Sequence, residues 1–143
     1  MFLPPELRPQ IDADSRPYWE ALRERTLLLP YCEGCRQAFF YPRTTCPRCH
    51  EAEVSWRPSP GRGVVYAVTT VHRAPGKAFA ADAPYAVALV ELPDGCRILM
   101  RVHPDDAALA KVGSPGVVDF EVIDEDLTMP LLRIAAADQE ETA

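Results

Sequence analysis

The chain has 143 residues, of which 48% are hydrophobic and 25% charged, and its formal net charge is −6. This length predicts one domain with at most a small appendage, and the composition is ordinary for a globular protein. The apolar runs are too short to span a bilayer, and the first residues lack the basic start and apolar stretch of a secretory signal. We therefore expect a cytoplasmic protein without a membrane partner, in which paired cysteines bind metal rather than form disulfides.

The charge is unevenly distributed along the chain. Residues 36–77 contain seven basic and two acidic residues, a local charge of +5, whereas the part from Asp82 onward is strongly acidic. A basic zone on an acidic protein suits a small polyphosphate ligand or an acidic partner, but basic residues scattered over a solvated surface explain it equally well. The balance argues against general nucleic-acid binding, which usually needs a basic domain.

Residues 1–30 are predicted to form an extended, proline-rich segment followed by one short helix. Pro17 falls in the first turn of this helix, where proline is tolerated. An apolar stripe at helical spacing follows, formed by Tyr18, Trp19 and Leu22. Because so short a helix has little core of its own, we interpret the stripe as part of a partner interface.

Residues 31–58 contain two Cys-x-x-Cys pairs, Cys32/Cys35 and Cys46/Cys49, with ten residues between the pairs. Two tight knuckles of a short hairpin can present four thiolates to one tetrahedral ion, which is the arrangement of structural zinc. Iron in a rubredoxin-like site uses the same four ligands, so the residues leave iron open as an alternative. A closed site has no open position for a substrate, and we therefore expect the metal to be structural.

Two other interpretations of the cysteines are weaker. Residues 46–50 match the Cys-x-x-Cys-His pattern of haem attachment, but that chemistry needs export and would leave the first pair without a purpose. A redox dithiol needs one Cys-x-x-Cys pair, so it would not explain why a second pair occurs at knuckle spacing. Between the knuckles lie Phe39, Phe40 and Tyr41, on an arm too small to bury three aromatic side chains alone. They add to the predicted partner interface.

Residues 59–136 have the pattern of a small β-barrel. Five strands and one helix are predicted, the strands over 63–72, 85–92, 96–102, 117–123 and 130–135 and the helix over 104–112. One helix between the third and fourth of five strands is the layout of an OB-fold, with a small open sandwich as the competing topology. The fold class is thus mainly β: an N-terminal helix, a rubredoxin-like zinc ribbon and an OB barrel. Residues 137–143 form a polar tail that we expect to be disordered.

No group of residues forms a recognisable catalytic constellation. Cys96 stands alone in a strand, where a cysteine is usually a buried small hydrophobe. His72 and His103 have no spacing that favours a catalytic dyad. The sequence contains no phosphate-binding glycine loop, no serine elbow and no His-Glu metal motif. A small chain of this kind is predicted to be a binding or scaffold subunit rather than an enzyme.

Motifs along nearly the whole chain occur in a specific order. They are DSRPYW at 14–19, the two cysteine knuckles, YPR at 41–43, GRGVVY at 61–66 and ALVEL at 88–92. In this order they resemble the zinc-ribbon/OB-fold acyl-CoA-associated proteins that accompany thiolase-type enzymes. The chain departs from that family after each knuckle, where glycine is frequent and Arg36 and His50 stand instead. This departure concerns the local shape of the two turns and leaves the four ligands intact.

The resemblance implies a non-catalytic accessory subunit. Its partner would be a thiolase-fold enzyme, either a thiolase or an aldolase that cleaves a steroid side-chain CoA ester, and it would help to bind or channel the acyl-CoA substrate. An enoyl-CoA hydratase is a further implied partner. The candidate CoA-binding residues are Arg43, Arg48, Arg62, Arg73 and Lys77, since guanidinium groups suit phosphate contacts. The candidate partner-interface residues are Tyr18, Trp19, Leu22, Phe39, Phe40 and Tyr41.

A second function from a different class remains an alternative. Zinc ribbons and OB barrels also bind single-stranded nucleic acid, through a basic groove with exposed stacking aromatics. The acidic half of the chain speaks against that alternative, and we expect nucleic acid not to be a partner.

Overall fold

Residues 3–58 form one helix and a small sheet. In the computed structural model, the described residues are 3–74 and 76–135, so the predicted tail lies outside them. A 3-10 turn at Pro5–Leu7 precedes helix α1 (Arg16–Arg23). The sheet then has the order β2-β1-β3 and is antiparallel, with strands β1 (Leu28–Cys32), β2 (Gln37–Ala38) and β3 (Val54–Pro58).

Local hydrogen bonds define the beginning and the end of helix α1. Before it, the Ser15 hydroxyl donates to the Asp12 carboxylate at 2.9 Å, and the Ser15 amide donates to the same carboxylate at 2.9 Å. After it, Arg25 adopts a left-handed φ of 58°, and the Thr26 amide donates to the Ala21 carbonyl at 3.0 Å. A left-handed residue here closes the last turn and satisfies carbonyls that would otherwise have no partner.

Residues 62–134 form the predicted barrel. The strand order β4-β5-β6-β8-β7 closes on itself, and only the β6–β8 pair is parallel. The strands are β4 (Arg62–Val71), β5 (Tyr85–Glu91), β6 (Arg97–Val102), β7 (Pro115–Val122) and β8 (Thr128–Ile134). Their ends agree with the sequence within two residues. The closed barrel confirms the OB-fold, and the open sandwich is wrong.

Strand β4 pairs with two neighbouring strands. It pairs with β7 at its first three residues and with β5 along most of its length, with a bulge between Val65 and Ala67. Bulges bend a strand and increase its twist, which lets one strand follow the closure of a barrel. The inward side chains of β5 are Ala86, Ala88 and Val90, all buried.

Helix α1 covers the barrel and the small sheet together. It contacts β1, β7 and β8, and one continuous core joins its apolar face to the barrel interior. The ribbon and barrel are therefore packed on a common element. Among the described residues, no helix is long and apolar enough to cross a membrane.

Two short helical segments differ from the sequence expectation. The predicted helix over 104–112 is a 3-10 segment, Pro104–Leu109, in which the Asp105 amide donates to His103 Nδ1 at 3.1 Å. Asp106 lies buried in it and accepts from Arg133 Nε at 2.9 Å and from the Ile134 amide at 3.0 Å. These two hydrogen bonds join the 3-10 segment to β8, and they account for its tighter winding than the predicted α-helix. A further single turn, α2 (Lys77–Ala80), lies in the β4–β5 loop and was not predicted.

Candidate metal centre

The two knuckles have the same backbone geometry. In the first, the Arg36 amide donates to the Cys32 carbonyl at 2.8 Å, and in the second the His50 amide donates to the Cys46 carbonyl at 3.0 Å. Backbone amides also point at sulfur, from Cys35 to Cys32 Sγ at 3.3 Å and from Arg48 to Cys46 Sγ at 3.4 Å. Such amide dipoles stabilise negative charge on a thiolate.

The four sulfur atoms are placed for one tetrahedral ion. All four Sγ atoms lie within 4.8 Å of one another. Cys32 Sγ is 3.6 Å from Cys49 Sγ, and Cys35 Sγ is 3.9 Å from Cys46 Sγ. A zinc tetrahedron with Zn–S bonds of about 2.3 Å requires sulfur atoms about 3.8 Å apart. The donor set and its spacing therefore fit structural zinc, as the sequence predicted.

The thiols differ in how readily they lose a proton. Backbone amide donors in the second knuckle, first that of Cys49, lower the pKa of Cys46 to about 6. The pKa of Cys49 is also lowered, by the amides of Glu51 and Ala52. Hydrogen bonding with the Cys32 side chain, then burial, raises the pKa of Cys35 to about 11. A divalent cation supplies the positive charge that four adjacent thiolates need.

Apolar packing buries two of the four ligands, and the other two, Cys35 and Cys49, are half-buried. Cys32 and Cys46 are buried, and Phe39 packs against them with Ala52 and Val54. A Cβ at Gly34 would lie 2.6 Å from the Ala52 Cβ, so this turn of the first knuckle needs glycine. Four protein ligands complete the coordination of a tetrahedral zinc ion and leave no open position for a substrate, which supports a structural role.

Most of the predicted partner-interface residues lie inside this chain instead. Tyr18, Leu22 and Phe39 are at most 2% exposed, and Trp19 is 6% exposed. The ring of Tyr18 lies 4.9 Å from Trp19 and 5.1 Å from Phe40, and Trp19 Nε1 donates to Tyr41 Oη at 3.1 Å. For the four buried side chains the expectation of a surface is wrong, because α1 folds onto the arm between the knuckles. Only Tyr41, 38% exposed, keeps a large exposed ring.

The five candidate CoA-binding residues are all exposed but stand on different elements. Two belong to the ribbon, one begins β4 and two lie in the β4–β5 loop: Arg43, Arg48, Arg62, Arg73 and Lys77. None of the five forms an ion pair with another described residue, unlike six other arginines of the chain. They are therefore available to an external anion.

One basic residue that the sequence did not single out lines the same cavity as Arg48. This cavity of about 490 Å³ lies between ribbon and barrel, and Arg97 and Cys96 contribute to it. Arg97 lies over the Tyr66 ring at 3.7 Å and is 3.6 Å from the Glu91 carboxylate. The two arginines are 49 positions apart, so no sequence pattern could have brought them together.

The remaining singled-out residues have structural roles. Cys96 is buried, and desolvation raises its pKa to about 12, as expected for a small hydrophobe. His50 is an exposed turn residue beside the metal site. His103 caps the 3-10 segment that follows it.

Comparison with protein-family models divides the chain into two matched parts. Residues 19–55 match the ChsH2 rubredoxin-like zinc ribbon domain, and residues 56–121 match the ChsH2 C-terminal OB-fold domain. Among curated proteins, 136 residues are 34% identical to a probable enoyl-CoA hydratase alpha subunit of Thermomonospora curvata. A DUF35 domain-containing scaffold protein of Methanocaldococcus jannaschii is 38% identical over 93 residues.

The lengths covered differ between these relatives. The alignment with the Thermomonospora protein covers 93% of this chain but only 41% of that protein. The alignment with the Methanocaldococcus protein covers 62% of this chain and 65% of that protein. Among solved structures, a DUF35 protein from Sulfolobus solfataricus shares the fold at 13% identity, with a TM-score of 0.59 over 86% of each chain.

A further solved structure, described as the Ltp2-ChsH2(DUF35) aldolase, matches with a TM-score of 0.75 and 33% identity. The match covers 90% of this chain and 100% of that chain. Both family-model matches and this full-length similarity agree with the cysteine cluster and the closed barrel. The chain therefore belongs to the DUF35 family, the zinc-ribbon/OB-fold proteins that include ChsH2.

Proposed function

We propose that this chain is a non-catalytic accessory subunit of a thiolase-fold enzyme and that it helps to bind that enzyme's acyl-CoA substrate. The observation that carries the proposal is the match over the full length of a ChsH2(DUF35) chain from an aldolase solved with Ltp2. Two DUF35 relatives are themselves described as scaffold proteins. Of the two partner enzymes that the sequence left open, this similarity supports an aldolase over a thiolase.

The chemistry of the described residues supports a non-catalytic role. The metal site has four thiolate ligands, so a tetrahedral ion bound there has no open coordination position. Cys96 is buried and held as a neutral thiol, and thiolates rather than thiols are the nucleophilic form. The Thermomonospora relative is named as a hydratase subunit, but this chain aligns with 41% of its length. We propose the hydratase as an additional partner and not as an activity of this chain.

The acyl-CoA part of the proposal rests on exposed cations. Five basic side chains have no carboxylate partner among the described residues, and CoA carries several phosphate groups. Arg48 is the best placed of them, because its guanidinium lines the cavity at the ribbon–barrel junction and donates to the Ala38 carbonyl at 3.0 Å. That hydrogen bond holds the side chain in place, which lowers the entropy lost on binding.

The nucleic-acid alternative receives less support. An OB-fold that binds single strands presents stacking aromatics and cations on the outer face of its second and third strands. Here that face carries Tyr85, Arg97 and Arg101 beside the apolar side chains of Val87, Leu89 and Leu99. Arg97 lies 3.6 Å from the Glu91 carboxylate and Arg101 lies 3.3 Å from the Asp82 carboxylate, so both cations are already paired and the face offers a phosphate backbone little net positive charge.

Co-purification tests the proposed function. A tagged copy of the chain, expressed in its native host, should retain a thiolase-fold protein at a fixed stoichiometry through size-exclusion chromatography. The isolated chain should show no thiolase, aldolase or hydratase activity with acyl-CoA substrates. A chain that elutes alone under these conditions, or that turns over an acyl-CoA by itself, would contradict the proposal.

A further inference from the structure

The closed barrel has one short strand pairing in its wall. Strands β6 and β8 pair at two positions, Arg101 with Leu131 and Val102 with Leu132. Just before this pairing, Leu99 and Met100 of β6 and Met129 and Pro130 of β8 line a groove together. Met100 is 4% exposed and belongs to the barrel core, so the groove borders a core side chain as well as outward-facing residues of the wall.

Two segments outside the barrel build the sides of this groove. On one side lies the N-terminal segment, which contributes Leu3 and Leu7. Arg8 holds that segment to the β7–β8 turn by two contacts with the Asp124 carboxylate, at 2.6 Å and 3.1 Å. On the other side lies Phe79 of α2, whose ring centroid is 6.3 Å from that of Tyr85. Three separate parts of the chain thus enclose one space of about 350 Å³.

The lining of the groove is apolar, and its mouth is acidic. Of the thirteen lining residues, only Arg101 and Glu121 carry a charge. Both also line an adjoining pocket that contains Asp82, Asp105 and Asp119. The Arg101 guanidinium is already 3.3 Å from the Asp82 carboxylate. An apolar chamber therefore opens into a polar chamber in which carboxylates outnumber cations.

We propose that this groove binds the hydrocarbon part of a small amphiphile whose head group is an uncharged hydroxyl, that is, an alcohol. The volume lies within the range of small-molecule cavities, which is about 300–1,000 Å³. The apolar lining favours hydrocarbon because its burial removes apolar surface from water. The carboxylates at the mouth accept hydrogen bonds from a hydroxyl and repel an anionic head group. Lys77, one of the exposed cations proposed for CoA, lies on α2 two residues before Phe79, but none of those five cations lines the groove.

Methionine methyl groups give a direct readout of this site. The chain has three methionines, and two of them, Met100 and Met129, line the groove. With ¹³C-methyl methionine, titration with 1-hexanol, 1-heptanol and 1-octanol should shift both signals saturably, and Met100→Leu and Met129→Leu assign them. The dissociation constant should fall about fourfold for each added methylene. Octanoate, with the same chain and a carboxylate, should bind about tenfold more weakly than the alcohol.

A matched pair of variants locates the binding. Leu99→Glu puts a charge on the groove wall at a side chain that is 65% exposed, and it should remove the shifts of both methyl groups. Val112→Glu makes the same change at a 71% exposed position that does not line the groove, and it should leave the titration unchanged. Equal titrations of the two variants, or no saturable shift with any of the three alcohols, would overturn the proposal.

Failure of the groove proposal can be distinguished from failure of the proposed accessory-subunit function. Partner co-purification and CoA-thioester affinity are measured on the same variants, and neither readout uses the methionine signals. If the free chain binds no alcohol and Leu99→Glu abolishes partner binding instead, the groove is a protein interface and the amphiphile proposal is wrong. If the alcohols bind while no thiolase-fold protein co-purifies, the groove proposal stands and the accessory-subunit proposal fails.

Discussion

Arg36 and His50 occupy equivalent positions in the two knuckles and share a left-handed backbone, with φ of 56° and 62°. Each follows the second cysteine of its pair, and each donates its amide to the carbonyl of the first cysteine. A residue with a Cβ is strained in this region, where glycine is at ease. The departure from glycine noted in the sequence is therefore a departure at two positions that require a positive φ.

Replacing either residue by glycine should stabilise the ribbon. For Arg36→Gly or His50→Gly we expect a gain of about 0.5–1 kcal/mol in the free energy of unfolding, because relief of the left-handed strain exceeds the extra entropy of the unfolded chain. Chemical denaturation of the zinc-loaded protein measures it. Glu20→Gly, at an exposed position within α1, is the control and should lose about 1 kcal/mol. Destabilisation at both knuckles would show that the two turns carry no such strain.

The metal should be structural and bound by the two knuckles alone. Cys46→Ser with Cys49→Ser should lose the metal and the packing of Phe39, since only two of the four thiolate ligands remain. Cys96→Ala changes the fifth cysteine, which lies outside the cluster, and should keep one metal per chain. Elemental analysis of the purified proteins measures the metal and distinguishes zinc from iron. Retention of one metal by the double variant would contradict the assignment.

Cys96 should be unreactive in the folded protein. Desolvation raises the pKa of its thiol to about 12, so almost no thiolate exists at pH 8. A thiol reagent at pH 8, with a chelator present to release the metal, should modify the four knuckle cysteines first, and Cys96 only after global unfolding. Mass spectrometry of the modified peptides at successive denaturant concentrations gives the order. Modification of Cys96 at the rate of the knuckle cysteines would contradict its burial.

The contact between Trp19 and Tyr41 should contribute measurably to stability. Tyr41→Phe removes the hydroxyl that accepts from the Trp19 indole at 3.1 Å and leaves a buried donor without its partner. We expect a loss of about 1 kcal/mol in the free energy of unfolding. The control is Tyr66→Phe, because Tyr66 is 48% exposed and its hydroxyl forms no hydrogen bond within the described part of the chain. If the two variants are equally stable, the Trp19 contact contributes nothing.

The exposed cations should affect CoA-thioester affinity in the assembled complex. Arg48→Ala or Arg62→Ala should each weaken binding by about tenfold, the range of one charge-assisted phosphate contact. Arg25→Ala is the matched control, because Arg25 is exposed but pairs with Asp119 at 2.9 Å on another part of the surface. Isothermal calorimetry measures the three affinities. Unchanged affinity in both test variants would mean that the CoA phosphates do not contact these arginines.

Local sequence patterns were sufficient to predict the metal site and the barrel strands. The ligands Cys32, Cys35, Cys46 and Cys49 come from two tight turns, whose geometry depends on three or four neighbouring residues. The barrel strands follow from alternation along a strand, which depends on one strand and its neighbours. Both signals are short-range, so the amino-acid sequence carries them without knowledge of the rest of the fold.

Whether a side chain ends up in a core or on a surface depended on contacts between distant segments. Trp19 and Phe39 have the same apolar character in either place, and they are buried because α1 folds over the ribbon arm and the barrel. Arg48 and Arg97 share a cavity only because the ribbon packs beside β6.

By itself, the sequence determined the four thiolate ligands, the order of ribbon and barrel and the absence of a recognisable catalytic motif. Two features follow only from the tertiary structure: the burial of the aromatic stripe of α1 inside the chain, and the apolar groove beside the short β6–β8 pairing. The physical reason is that burial is a property of packed surfaces. A surface forms only when segments that are far apart in the chain come together, and no local pattern records where they meet.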